Sequence, residues 1–579
     1  MKKLLFVFSL FLMGLTLQAQ SPNIPTLTDA LIAEEVKDHI KARVDNNVNV
    51  GIVVGLIDGD KVEYFSYGKT ALENGTDVDE NSVFEIGSIS KTFTAIMVAQ
   101  EILKGNIKMS DPIQKFFPEG VTVPTRNDRV ITIKDIATHS SALPRMPDNF
   151  EPSNPGNPYA DYTIPLAYEF MSSVELTRDI GSQYEYSNFG MGMLGHILEL
   201  NYNKSFEELL IERIANPLGM TNTRVVFTDN MKAHLAKGHA NGVEVENWDL
   251  PAMAGAGAIR STATDMVKYL KANMGMTPSP LYEAMKMTHE VAYKNDEQDF
   301  SIGMAWHYGL DDTVVWHNGG TGGYISFAGF LKGTNKGVVV FTNTQENINA
   351  IGFKLLGDST ELKMPKKSIA AKIEREIEAN GVESGIALYR KSKEAADDSY
   401  NFGEGELNRL GYGYLAKDKN DIALAIFKLN VEMFPKASNP YDSLGEAYLK
   451  MGDSAMAKTN YTKSVALNPA NEGGIRVLET LGVKAPVKIV DIAPEVLDNY
   501  VGQYELAPSF IVTITRKENE LFAQATGQPQ FPIFASAVNK FYFKVVEASV
   551  IFNADDTGKI TSMTLYQGGQ VVPGKKIEE

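Results

Sequence analysis

The sequence predicts a multidomain protein in three parts: an α+β domain with an antiparallel sheet and a helical insertion, an α-helical repeat region, and a small all-β antiparallel barrel. Three observations carry this. Runs with strand character near residues 48–68 and 313–343 bracket a long helical stretch, a 34-residue repeat occupies residues 410–469, and short alternating strands follow residue 491. At 579 residues the chain exceeds one ordinary domain. The expected parts are an export segment at 1–20, the α+β domain at 21–360, the helical region at 361–485 and the β domain at 486–579.

A hydrophobic content of 44% and a charged content of 22% belong to a folded protein with ample core. The formal net charge of −17, with no basic block to offset it, argues against a nucleic acid or an anionic membrane surface as partner. Cysteine is absent, which excludes disulfides, thiolate metal sites and lipid anchoring through Cys. Met1 to Gln20 carries Lys2 and Lys3, an apolar run Leu4 to Leu17 and Ala19, the pattern of a secretory segment. The run is shorter than the roughly 20 residues a membrane span needs, so the expectation is an exported, periplasmic or extracellular protein without a transmembrane span in its mature chain.

In chain order, Val48 to Gly68 reads as two strands about a turn at Asp58-Gly59-Asp60. Ser90 to Leu103 is free of Gly and Pro, with Phe93, Ile96, Met97 and Ile102 at helical intervals. Helical patterns broken by loops such as Pro144 to Pro158 fill Ile107 to Ala292. Strands return at Thr313 to Trp316, Tyr324 to Leu331 and Gly337 to Asn343; if they share a sheet with the first hairpin, a cleft forms against the insertion. Further helices are expected at Ile369 to Ala379 and Ser384 to Ala396, with a loop from Asp397 to Gly405. Leu410, Tyr414, Leu415, Ala423, Phe427 and Pro435 are matched 34 residues on by Leu444, Tyr448, Leu449, Ala457, Tyr461 and Pro469. Strands Phe510 to Ile514, Phe541 to Val546 and Ile560 to Tyr566 predict a barrel or sandwich at the end.

The candidate chemistry centres on Ser88-Ile89-Ser90-Lys91. At the start of a helix, residues three apart share a face, so Lys91 lies beside the Ser88 hydroxyl. Ser66-Tyr67-Gly68-Lys69 repeats the spacing inside a strand, where residues three apart face opposite ways, and is a decoy. Two further motifs accompany the first: Tyr186-Ser187-Asn188, in a loop before a helix Gly192 to Leu200, and His317-Asn318-Gly319-Gly320 at a strand end. Serine is a poor nucleophile until a base takes its proton, and Lys91 becomes one if burial and nearby cations depress its pKa. His307-Tyr308-Gly309 lacks the following glycine run and is taken as a decoy. His39, His139, His196, His234, His239 and His289 show no metal spacing and are taken as structural or surface residues. No metal or cofactor is expected.

These three motifs, in this order, resemble those of the serine penicillin-recognising enzymes, closest to the class C β-lactamase and D-aminopeptidase branch. The resemblance covers roughly residues 30–350 and extends to Ala137 to Pro144, Asn216 to Met220 and Arg260 to Met266, with Ala142 where Gly is usual. It implies a β-lactamase/transpeptidase-like fold, Ser88, Lys91 and Tyr186 as catalytic residues, and Asn188, His317, Gly319 and Gly320 as substrate-binding residues, with an oxyanion hole from the N–H groups of Ser88 and Gly320. His317 departs from the Lys-Thr-Gly of β-lactamases and is similar to esterases and D-amino-acid peptidases. The 34-residue unit resembles the tetratricopeptide repeat, and the terminal domain is similar to a lipocalin-like appendage of secreted serine hydrolases. The expected function is an exported serine hydrolase forming an acyl-enzyme with a small ester, amide or D-amino-acid peptide. The alternatives are β-lactamase or DD-carboxypeptidase activity, and a non-enzymatic envelope scaffold or sensor whose repeats bind a protein partner.

Overall fold

The computed structural model describes residues 30–577 apart from 296–299, 360, 470, 484–491, 508–509, 544, 547, 556–557 and 568–569. The expected export segment, 1–20, lies outside the described residues. Among those described, no helix is long and apolar enough to cross a membrane.

The early hairpin and the late strands do share one sheet. Gly51–Asp58 pairs with Lys61–Gly68 on one side and with Lys336–Thr342 on the other, and Ile325–Leu331 and Val314–Gly320 continue the antiparallel order. Three short strands missed in the sequence, Tyr293–Asn295, Phe300–Ile302 and His307–Gly309, complete eight. The sheet is covered on both faces, and the two-residue period of the Gly51–Asp58 strand sorts its side chains between them. Val53 and Ile57 face the helical insertion; Ile52, Val54 and Leu56 face the helices Glu34–Asp45 and Asn349–Leu356.

Helices follow in antiparallel pairs from Ile369–Asn380 to Glu472–Thr480. The 34-residue offset recurs in contacts. Gly411 of Glu404–Ala416 meets the ring of Phe427, and Gly445 of Asn439–Lys450 meets the ring of Tyr461, each without room for a Cβ. Ala423 and Ala457 are both fully buried at the paired crossings. The expected loop at 397–405 is largely present, with Tyr400–Asn401 bridging to Lys367–Ser368. Arg409 ties this region to the sheet domain: its guanidinium donates to the Asn47 carbonyl at 3.0 Å, and its stem covers Gly242 at a hairpin tip.

The last part is a closed eight-stranded antiparallel barrel, Gly502–Ala507 through Gln570–Ile577, which leaves no open edge. Its interior is filled by Tyr504, Phe541, Val550, Phe552 and Met563. The strand expected at 541–546 ends at Phe543.

Candidate active site

The site forms where the Ser88 turn, the start of one insertion helix and the end of the Val314–Gly320 strand meet. Phe84–Glu85 pairs with Arg260–Ser261, then the chain turns at Gly87, φ +50°, into a 3-10 turn Gly87–Ile89 and the helix Ser90–Leu103. Glycine is required at 87, since a Cβ would also lie 2.8 Å from the Gly320 nitrogen. Gly319 is packed as tightly: a Cβ there would fall 2.0 Å from the Ile86 carbonyl oxygen. These approaches hold the strand end against the serine turn. The Ser90 hydroxyl locks the same turn, donating to the Gly87 carbonyl at 2.7 Å and accepting the Ile259 N–H at 3.1 Å.

Lys91 is fully buried and stands beside Ser88, as helical spacing requires, with Nζ 2.9 Å from Oγ. Nζ also lies 2.9 Å from Asn188 Oδ1 and 2.6 Å from the Ala256 carbonyl. Burial, and then the charge of Arg145, hold its pKa well below the ordinary lysine value. The second motif opens a helix earlier than expected, at Asn188–Tyr202, because Ser187 caps it by accepting the Gly190 N–H at 2.9 Å. The expected helix, Gly192 to Leu200, is present, and only its first turn was missed; Gly192 and Gly195 pack against Met253 and Gly255. Tyr186 lies near Ser88, and burial, partly offset by the Ser88 hydroxyl, pushes its phenol up to about 12.

His317 lies beside Tyr186, ring centroids 6.2 Å apart, but is 1% exposed. Its Nδ1 bonds the Asn318 carbonyl, which places the proton there, and Nε2 has no hydrogen-bond partner among the described residues. Burial and then His307 hold its pKa well below the ordinary value, so the ring is neutral.

Two histidines set aside in the sequence belong to this neighbourhood. His307 is not a remote decoy: its short strand pairs with Val314–Gly320, which brings its ring 4.9 Å from that of His317, and the Tyr184 hydroxyl meets its Nε2 at 3.0 Å. His139 stacks on Tyr186 at 4.4 Å and accepts the Ser187 N–H. For His307, cross-strand pairing, invisible in a one-dimensional motif, was the missing signal. Arg145 was also missed; its carbonyl accepts the Asn188 N–H at 3.0 Å, and its guanidinium lies 5.0 Å from the Tyr186 ring centroid. The Ser66 decoy stays a decoy, with Ser66 inside a strand and Lys69 paired to Asp77.

A narrow cleft opens on Ser88, Asn188 and Gly320 and is walled by Tyr159, Trp248, Leu250 and Met253. Trp248 is fixed from behind: its N–H donates to Glu85 Oε1 at 3.0 Å, and its carbonyl accepts from Arg260. Among the described residues no cluster of His, Asp or Glu could hold a metal ion.

An α+β fold with a serine turn, a buried lysine and a tyrosine at one strand end defines a serine hydrolase of the penicillin-recognising kind. The chain belongs to the beta-lactamase family, whose model matches residues 36–352, while residues 488–576 match a domain of unknown function (DUF3471). It is 26% identical over 332 residues to the D-alanyl-D-alanine-carboxypeptidase/endopeptidase AmpH of Escherichia coli (strain K12), covering 53% of this chain and 85% of that protein. It is 24% identical over 331 residues to a beta-lactamase of Pseudomonas fluorescens, covering 51% and 88%. A class C beta-lactamase structure, 20% identical, aligns over 57% of this chain and 97% of its own with a TM-score of 0.50, a likeness of fold.

Proposed function

We propose that the protein hydrolyses a small ester, amide or D-amino-acid peptide through an acyl-enzyme on Ser88, with Lys91 as base. The observation that carries this is the set of three oxygens around Lys91. A neutral amine has two N–H bonds and one lone pair. The Asn188 Oδ1 and the Ala256 carbonyl can only accept, so they take both N–H bonds and leave the lone pair facing the Ser88 hydroxyl at 2.9 Å.

In this mechanism Oγ attacks the carbonyl carbon as its proton passes to Lys91. The N–H groups of Ser88 and Gly320 hold the oxyanion, where losing one donor costs about 3 kcal/mol. The C–X bond breaks as Tyr186 passes a proton to the leaving group and is reprotonated from Lys91. Water then cleaves the acyl ester by the reverse proton path. Asn188 also orients the acyl group, and the apolar wall of Tyr159, Trp248 and Leu250 receives its side chain. The same acyl transfer would serve a DD-carboxypeptidase, a reading favoured by the likeness to AmpH. The neutral His317, in place of a lysine, supports peptidase or esterase activity over β-lactam hydrolysis.

Ser88→Ala is expected to abolish both hydrolysis of a chromogenic ester and labelling by a serine-reactive phosphonate; unchanged labelling refutes the reading. Nitrocefin turnover at the rate of dedicated β-lactamases would reverse the ranking of substrates. Export is part of the same reading, and a cytoplasmic location on cell fractionation would remove it. The repeats and barrel serve as a brace, and a pull-down that depends on residues 400–475 and ignores Ser88 would favour the scaffold alternative.

A further inference from the structure

Tyr186 sits in a loop, outside any helix or strand, and a loop does not by itself fix the place of a phenol. His139 grips that loop at three points. Its carbonyl accepts the Glu185 N–H at 2.7 Å, its Nδ1 accepts the Ser187 N–H at 3.1 Å, and its ring stacks on the Tyr186 ring with centroids 4.4 Å apart and 28° between the planes. Because Nδ1 accepts, the proton of the neutral imidazole is on Nε2, which has no hydrogen-bond partner among the described residues. Among those residues, the one hydrogen bond of the ring is made to the segment that carries Tyr186.

The grip is anchored, and it is strained. His139 lies just past the helix Ile133–Ala137 and donates its own N–H to the Ile136 carbonyl at 3.1 Å. It is fully buried at φ +56°, a conformation that residues with a Cβ adopt rarely. Strain of this kind persists only where surrounding contacts over-determine it, and it gathers at functional sites. Further along the same segment, the Pro144 carbonyl accepts the Ser187 hydroxyl at 2.7 Å and the Arg145 carbonyl accepts the Asn188 N–H at 3.0 Å. Residues 139–145 thus clasp 185–188 from a fixed helix end, and His139 is the member of the clasp whose ring covers the phenol-bearing residue itself. The tie from Tyr184 to His307 reaches the loop two residues earlier and leaves the Tyr186 and His307 rings 6.4 Å apart.

We propose that His139 is a positioning residue that sets the angle and depth of the Tyr186 phenol, so that the phenol reaches the leaving group. This rests on the acyl-transfer reading above, in which Tyr186 passes a proton to that group. His139 acts through Tyr186, so its influence grows with the leaving group's need for a proton.

The test uses the full chain and three esters with one acyl group, p-nitrophenyl, phenyl and ethyl acetate, whose leaving groups need a proton increasingly. In such a series kcat/KM reports acylation alone. His139→Ala is expected to lower kcat/KM roughly a hundredfold for ethyl acetate, as a phenol misplaced by about 1 Å would, and less than about threefold for p-nitrophenyl acetate. His139→Asn tolerates the positive φ and offers an oxygen to the Ser187 N–H, so it should recover part of the ethyl acetate loss. Tyr186→Phe should show the same rising dependence on the leaving group, and adding His139→Ala to it should change the series little. Phosphonate labelling of Ser88 checks each variant, and if His139→Ala does not label, His139→Asn against wild type carries the comparison. Equal losses across the three esters, no loss at all, an Asn variant as impaired as Ala, or His139→Ala and Tyr186→Phe losses that simply add would each overturn the proposal and leave Ser88 and Tyr186 in their roles. A Tyr186→Phe series with no dependence on the leaving group instead overturns the acid role of Tyr186, and the proposal falls with it. Failure of wild-type labelling together with absence of ester turnover overturns the nucleophile itself.

Discussion

Acidification should weaken the hydrolase domain well before its carboxylates titrate, because imidazoles are buried neutral around Tyr186. Burial, and then the charge of Lys91, lower His307 from 6.5 to about 4; His139 and His317 shift the same way, also through burial first. A group with a depressed folded pKa stabilises fully above its unfolded value and loses that contribution as pH falls through the folded one. Between pH 6.5 and 4 the unfolded chain therefore holds more protons, and each such histidine removes up to about 1.4 kcal/mol per pH unit. For His307 alone the loss reaches roughly 3 kcal/mol at pH 4. Glu85 works in the opposite sense, since burial raises its pKa and protonation favours the folded state. Urea unfolding read by tryptophan fluorescence isolates this domain, because Trp248, Trp306 and Trp316 are the chain's three tryptophans. Stability should fall steeply from pH 6.5 to 5, and His307→Gln should remove about one histidine's share of the slope. Equal slopes in wild type and His307→Gln would refute the assignment of buried neutral imidazoles.

Ala142 sits at φ +66°, where an L-residue costs about 1–2 kcal/mol, so Ala142→Gly should raise stability by roughly 0.5 kcal/mol after the extra unfolded entropy of glycine. Urea midpoints at one pH check it. Gly319→Ala would drive a methyl into the Ile86 carbonyl and should destabilise the domain by about 2 kcal/mol while abolishing phosphonate labelling. Asn188→Leu removes an acceptor from Lys91 and should lower kcat by roughly a hundredfold while Ser88 remains present, read by burst kinetics with a chromogenic ester. The rising limb of kcat/KM against pH should lie well below the ordinary lysine value, because the neutral form of Lys91 is the active one, and Arg145→Gln should move that limb upward by removing a charge that lowers it.

Local patterns carried much of the fold and of the site. The Ser88 to Lys91 spacing is a local fact of helix geometry, and the 34-residue repeat is a fact of subtraction. What stayed hidden depends on partners distant in sequence. His307 enters the site only because its strand pairs with Trp316 in register, and His139 only because a loop returns its ring to Tyr186. The helix expected from Gly192 begins a turn earlier, at Asn188, and its Gly192 and Gly195, poor helix formers by propensity, serve here as close-packing points against Met253 and Gly255. The Ala142 position shows the converse: a residue recognised as departing from a family's glycine finds its physical reason only in a backbone angle.

Burial acts on Lys91 and Tyr186 in opposite directions of pKa and to the same end, since it favours the neutral form of each. Two groups moved apart in this way suit the roles proposed for them: the amine keeps a lone pair to accept a proton, and the phenol keeps a proton to give. The phenolate route to activating Ser88 would begin from a form that burial has pushed out of the working range, so it starts at a disadvantage that the amine route does not share. Once acylation begins, the new ammonium on Lys91 has the Asn188 and Ala256 oxygens to share, but Arg145 nearby opposes its charge. A cation formed there is short-lived and must pass its proton on. In the proposed mechanism Tyr186, near the serine hydroxyl, takes that proton toward the leaving group, so the tension that would make Lys91 a base would also drive the second half of the transfer.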